Sequence, residues 1–143
     1  MRWEYKGIFS LELPEDWSVV EGQDGIIEVR PATANGTVHF SVLKRDIGGP
    51  VKPGEASSVV VYFAQGQGAA DVAVSEREVP GGRAAHAAFE TRRDNLRLAW
   101  EVEARVWPER AIRCSLCYDG DDRNLRKLAL ALFESVRPDT AAA

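Results

Sequence analysis

The sequence predicts an α+β fold: one antiparallel sheet of about six to eight strands with at least two helices packed on its apolar side. Three observations carry this. Residues Ala84 to Tyr118 alternate apolar and polar across two tight turns, the period of a strand meander. Leu125, Leu128, Ala129, Leu132, Phe133 and Val136 recur at spacings of three and four, the stripe of an amphipathic helix. The chain has 143 residues, 45% hydrophobic and 28% charged, enough to bury a single core unaided.

The elements follow in chain order. Phe9, Leu11 and Leu13 alternate with Ser10 and Glu12, and Pro14 stops this strand before Trp17. Residues 17–20 and 25–30 form a hairpin around Gly22 to Gly25, and Val38, Phe40 and Val42 mark a further strand with His39, Ser41 and Leu43 outward. Breakers fill Ile47 to Gly54. Glu55 to about Gln65 reads as a helix with Val59, Tyr62 and Phe63 on one face, ended by Gly66 and Gly68. A strand near Val72–Val79 and a Pro80-Gly81-Gly82 turn precede the meander. After it, Asp121 or Asp122 caps the second helix and Pro138 ends it. The domain spans 1–138, with 139–143 expected to be a disordered tail.

Within the meander, Asp94-Asn95 suits a two-residue hairpin loop and sets Thr91 against Leu98, Phe89 against Trp100, Ala87 against Val102 and Ala85 against Ala104. A three-residue loop, Pro108 to Arg110, is expected next. It sets Val106 against Ile112, Ala104 against Cys114, Val102 against Leu116 and Trp100 against Tyr118, because a two-residue loop would turn one apolar row toward water. This register predicts an aromatic row of Phe89, Trp100 and Tyr118 on the core side. It leaves Arg92, Arg97, Glu101, Glu103, Arg105 and Arg113 outward.

A formal charge of −4 spread through the chain argues against nucleic acid, which needs clustered Lys and Arg. No leader-like apolar segment or membrane-length apolar run is present, so a cytoplasmic protein without membrane insertion is expected. The segment Phe9 to Trp17, a strand ending in Pro-x-x-Trp, resembles the opening strand of the Mog1/PsbP-like superfamily. The order of elements, the turn Val79-Pro80-Gly81-Gly82 and the closing Phe133-Glu134-Ser135-Val136-Arg137 are similar too. Phe40 to Asp46 resembles a strand exit in its DcrB-like and Eag-type bacterial branches. The resemblance implies a non-enzymatic protein-binding or accessory domain, its partner unknown. It also admits a chaperone for a secreted effector, as in the Eag-type branch. The rival reading is a small-molecule or lipid carrier with a pocket between sheet and helices.

Cys114 and Cys117 are three apart on a strand, which sends the thiols to opposite faces and excludes a local disulfide or shared zinc. His86 lies across from Glu103 in a surface pair. Glu101 and Glu103 read as a solvated charge ladder kept ionised by Arg105, Arg113 and His86, where acid catalysis needs one carboxyl held neutral. Asp119-Gly120-Asp121-Asp122 lacks the closing Glu of a calcium loop, and Gly66-Gln67-Gly68 lacks the strand and third glycine of a phosphate loop. No cofactor is expected. Trp17 and Trp100 are assigned to the core. Trp107, on the polar side at a strand end, is grouped with Leu43, His39 and Cys117 as the candidate protein-contact residues, with a homodimer among the expected arrangements.

Overall fold

The computed structural model describes residues 1–32, 36–45 and 48–138. The expected tail, 139–143, lies outside them, as do Asp46 and Ile47. The described elements are β1 (Arg2–Tyr5), β2 (Phe9–Glu12), β3 (Ser18–Glu21), β4 (Ile26–Arg30), β5 (Gly36–Lys44), α1 (Glu55–Gly66), β6 (Ser75–Val79), β7 (Gly82–Arg93), β8 (Leu96–Trp107), β9 (Arg110–Tyr118), α2 (Arg123–Glu134) and β10 (Arg137–Pro138). Seven strands form one antiparallel sheet in the order β3-β4-β5-β9-β8-β7-β6, and β1-β2-β10 form a small second sheet.

The first hairpin of the meander has the expected register, from Thr91 opposite Leu98 to Ala85 opposite Ala104. Asp94 and Asn95 both take positive φ, 51° and 67°, as a two-residue turn that follows strand twist requires. The second hairpin differs. Trp107 pairs with Arg110 across a two-residue turn, so Val106 faces Ala111, Ala104 faces Arg113, Val102 faces Ser115 and Trp100 faces Cys117. All of β9 is thereby reversed relative to the expectation.

The reversal costs no burial because each face of this sheet is covered where its residues are apolar, by α2 and the small sheet over β5 and β9 and by α1 over β7 and β8. Ile112, Cys114 and Leu116 join Val42, Phe40 and Val38 of β5 in one apolar row, and α2 together with the small sheet packs over it. Phe40 meets Phe9 at 6.0 Å and Phe133 edge-on at 6.3 Å. Val102, Ala104 and Val106 instead join Ala85, Ala87 and Ala111 on the opposite face, beneath Ala56 and Val60 of α1. The apolar side therefore switches faces between β9 and β8, and the two helices sit on opposite sides rather than together.

The aromatic row changes accordingly. Phe89 and Trp100 stack at 6.0 Å, but Tyr118 belongs to the α2 side and its place is taken by Phe63 of α1, edge-on to Trp100 at 5.7 Å. Arg113 is not outward beside the glutamates; its guanidinium lies 4.6 Å over the Phe63 ring. Trp17 and Trp100 are half-buried at the margins of the two cores.

Each helix start has its own solution. Of the two candidates Asp121 and Asp122, Asp122 caps α2, its carboxylate accepting from the Leu125 amide at 3.0 Å. Gly54, at the start of α1, has no side chain to offer, and the cap comes from β6. The Glu76 carboxylate accepts from the amides of Gly54 and Ser57 at 2.8 and 2.9 Å, the Ser57 hydroxyl at 2.7 Å and Arg83 Nε at 2.7 Å. Burial pushes Glu76 up, but these donors outweigh it and hold its pKa at about 2. Glu76→Gln should cost about 1–2 kcal/mol in urea denaturation at neutral pH. A depressed carboxylate stabilises above its ordinary pKa near 4.5, so this contribution is lost as pH falls from about 4.5 to about 2.

Gly82 opens β7 where the backbone of β8 passes close. A Cβ there would meet the Val106 carbonyl oxygen at 2.0 Å and the Trp107 ring at 2.9 Å. Gly82→Ala is expected to cost about 3 kcal/mol by overpacking, read as a lowered melting temperature.

Candidate functional site

The row Glu101, Glu103, Arg105 and Trp107 faces α2, on the half of the sheet where that face is not apolar. Glu101, Glu103 and Arg105 are buried, 1%, 4% and 2% exposed, so the solvated ladder expected from alternation is instead an internal ion lattice. The cause is α2. Its apolar stripe covers the β5–β9 half, while Arg126 and Glu134, two helical turns apart on its flank, reach toward β8. Eight helical residues rise about 12 Å and four strand residues about 13 Å. With α2 running parallel to β8, Arg126 therefore falls at Glu101 and Glu134 at Arg105.

The contacts fit this match. Arg126 Nε donates to Glu101 at 2.5 Å, and Arg105 Nη2 donates to Glu134 at 3.0 Å. Arg105 Nε also donates to Glu103 at 2.7 Å, and Arg77 of β6 lies 2.9 Å from Glu134 and 3.5 Å from Glu103. His86 is opposite Glu103, as expected, but its closer partner is Glu101: Nε2 is 2.6 Å from Glu101 and Nδ1 3.5 Å from Glu103. With its side chain 20% exposed, this is not a surface pair.

His86, Glu101 and Glu103 are each held in the charged form. Burial pulls the His86 imidazole down, but the hydrogen bonds to Glu101 and Glu103 prevail and raise its pKa to about 9. Burial pushes Glu101 up, yet His86 and Arg126 hold it below the usual carboxylate range. Glu103 is held low against burial by His86 and Arg105. At neutral pH the imidazole is a cation between two anions, so the lattice presents neither a neutral acid nor a free base. What it does is lock α2 to β8.

The four expected contact residues separate. Trp107 is 3% exposed and packed in the α2-side core, so it presents no surface; its alternation placed it correctly opposite Val106, but that face is covered. Leu43, His39 and Cys117 share the other face, beyond α1, which packs on β6, β7 and β8. Leu43 is half-buried against the α1-side core. His39 is partly exposed and lies 3.3 Å from Glu28. Cys117 is half-buried with its thiol pKa raised by burial, and Cys114 is fully buried on the opposite face, its thiol raised further. The two are free, on opposite faces as parity requires. Sequence reasoning placed Ile26 on the polar side with Leu43 but missed Val20; the two are 43% and 44% exposed on the same face as His39. Their signal was a hydrophobic residue out of phase with its strand's buried row: Val19 and Ile27 go to the core, and Val20 and Ile26 are left over.

Asp119 and Asp121 make a turn, the Asp121 amide donating to Asp119 at 3.1 Å. No group of three or more metal-ligating side chains is found among the described residues, and none of their helices is long and apolar enough to cross a membrane.

No family model and no curated protein matches the chain by sequence. Solved structures do. A protein from Bacteroides thetaiotaomicron VPI-5482 is similar with a TM-score of 0.68 and 14% identity, over 99% of this chain and 49% of that one. The chain thus spans about half the length of that protein. Cyanobacterial PsbP (CyanoP) from Synechocystis sp. PCC 6803 is similar with a TM-score of 0.67 and 15% identity, over 96% of this chain and 91% of that one. With a seven-stranded antiparallel sheet, a small second sheet and two helices in this order among the described residues, the chain has the Mog1/PsbP-like α+β fold.

Proposed function

We propose that the domain is a non-enzymatic protein-binding or accessory module that works through the sheet face lying beyond α1. One observation carries this reading: on the outer strands of that face Val20 and Ile26 are exposed, next to the partly exposed His39 and half-buried Leu43 and Cys117. Apolar anchors among uncharged and ionic neighbours are the make-up of a non-obligate interface. The ion lattice under α2 favours the same reading, because its charges are spent on one another.

The test is affinity purification of the full chain from its source cells, wild type against Val20→Asp/Ile26→Asp, with native mass spectrometry of what is retained. A protein held by the wild type and lost from the variant is the expected result. The same set on both would contradict this face, and a bound small molecule would favour a carrier. Retention of a secreted protein specifically would make the module a chaperone for an effector.

A further inference from the structure

We infer that the free edge of β3 accepts an extended, basic segment of a partner protein, added to the sheet as an eighth strand. The inference rests on the protein-binding reading above and names the partner's chemistry. β3 ends the sheet, and no described strand pairs with its outer side. The Gly22 amide donates to the Ile26 carbonyl at 2.8 Å, which fixes the phase of the β3–β4 ladder. Antiparallel alternation then points the amides and carbonyls of Ser18 and Val20 at β4, and those of Val19 and Glu21 outward. Two donors and two acceptors are available along the edge, with the exposed Val20 side chain between them.

Charge selects the occupant. Between Lys6 and Arg30 the chain has six acidic residues and no basic one. Of these, Glu15, Asp16, Glu21 and Asp24 are exposed around β3 and join no ion pair among the described residues. At the start of the strand a groove of about 450 Å³ is lined by Glu15, Asp16, Trp17, Asp122, Leu125 and Leu128 among others. An incoming Lys or Arg can lay its stem along Trp17 and Leu128 and place its charge at the carboxylates. A strand with alternating side chains meets both demands: backbone bonds give affinity and every second residue gives specificity. A second copy of this chain fits poorly, since antiparallel self-pairing sets the same carboxylates against each other along one seam.

The probe is a fluorescein-labelled Lys-Val-Lys-Val-Lys-Val-Lys peptide, followed by anisotropy with the full chain at low and moderate salt. Controls are the Glu-Val counterpart and a Lys-Val peptide with alternate backbone nitrogens methylated. The Lys-Val peptide should bind, the Glu-Val peptide should not, and methylation should weaken binding about tenfold, the value of a lost backbone hydrogen bond. Glu21→Pro removes an outward amide that β4 does not use, so it should weaken binding about tenfold more than Glu21→Gln. In the unaltered protein, amide exchange at Val19 and Glu21 should slow when the peptide is added. Equal binding of the methylated peptide would reduce the site to charge alone and overturn the proposal. So would equal binding of the Glu-Val peptide, no binding at all, unchanged exchange, or a dimer dissociated by Glu21→Pro. Should the peptide fail while Val20→Asp/Ile26→Asp still loses its partner, the protein-binding reading stands without this strand-addition mode.

Discussion

Arg105→Met should lower stability by about 3–5 kcal/mol, the usual cost of breaking one partner out of a buried charge network. Arg105 is 2% exposed and ties three things together: Glu103 at 2.7 Å, Glu134 at 3.0 Å and the Val136 carbonyl at 3.4 Å. Removing it leaves the buried Glu103 carboxylate with only His86 and Arg77, each 3.5 Å away. Urea denaturation at pH 7 measures the loss. In the Arg105→Met background, Glu103→Gln should then cost less than it does alone, because the charge it removes is already uncompensated. A loss under 1 kcal/mol, with no coupling between the two positions, would mean that the lattice is not closed as described.

Stability should also fall as pH rises from about 6.5 to about 9, by an amount of order 3 kcal/mol. The sign follows from His86, whose pKa is raised from 6.5 to about 9 by Glu101 and Glu103. A group with a raised folded-state pKa contributes fully below its unfolded value and loses that contribution as pH climbs through the folded one. Comparison of wild type with His86→Gln at pH 6, 7.5 and 9 isolates the contribution of this group. The variant should be less stable at pH 6 and close to wild type above pH 9. A gap that stays constant with pH would remove the imidazolium from the lattice.

The elements were legible wherever local chemistry decides them. Asp94-Asn95 dictated a two-residue turn and with it the register of β7 against β8; the Asp121-Asp122 pair marked the start of α2, and Asp122 is the one that caps it. The face that β9 presents is not decided locally. A two-residue turn after Trp107 drives the Ile112-Cys114-Leu116 row into water only in a sheet with one wet side. Here that row is needed by Val38 and Phe40, and α2 covers it. Alternation gave the sides of Glu101, Glu103 and Trp107 correctly but could not say what packs above them. The lattice has a faint signature after all: Arg126 and Glu134, eight apart on the flank of an apolar stripe, match Glu101 and Arg105, four apart on a strand. Of the small β1-β2-β10 sheet only β2 is marked, by Phe9 and Leu11; β10 is two residues long and is recruited by β2.

The burial of the ion lattice, and the assignment of one sheet face to α2 and the other to contact, depend on the alignment of β8 with β9. Cross-strand proton contacts by nuclear magnetic resonance report it directly. Contacts between Glu103 and Cys114, and between Val102 and Ser115, are the expected result; contacts of Ala104 with Cys114 and Val102 with Leu116 would contradict it and return the glutamates to the surface.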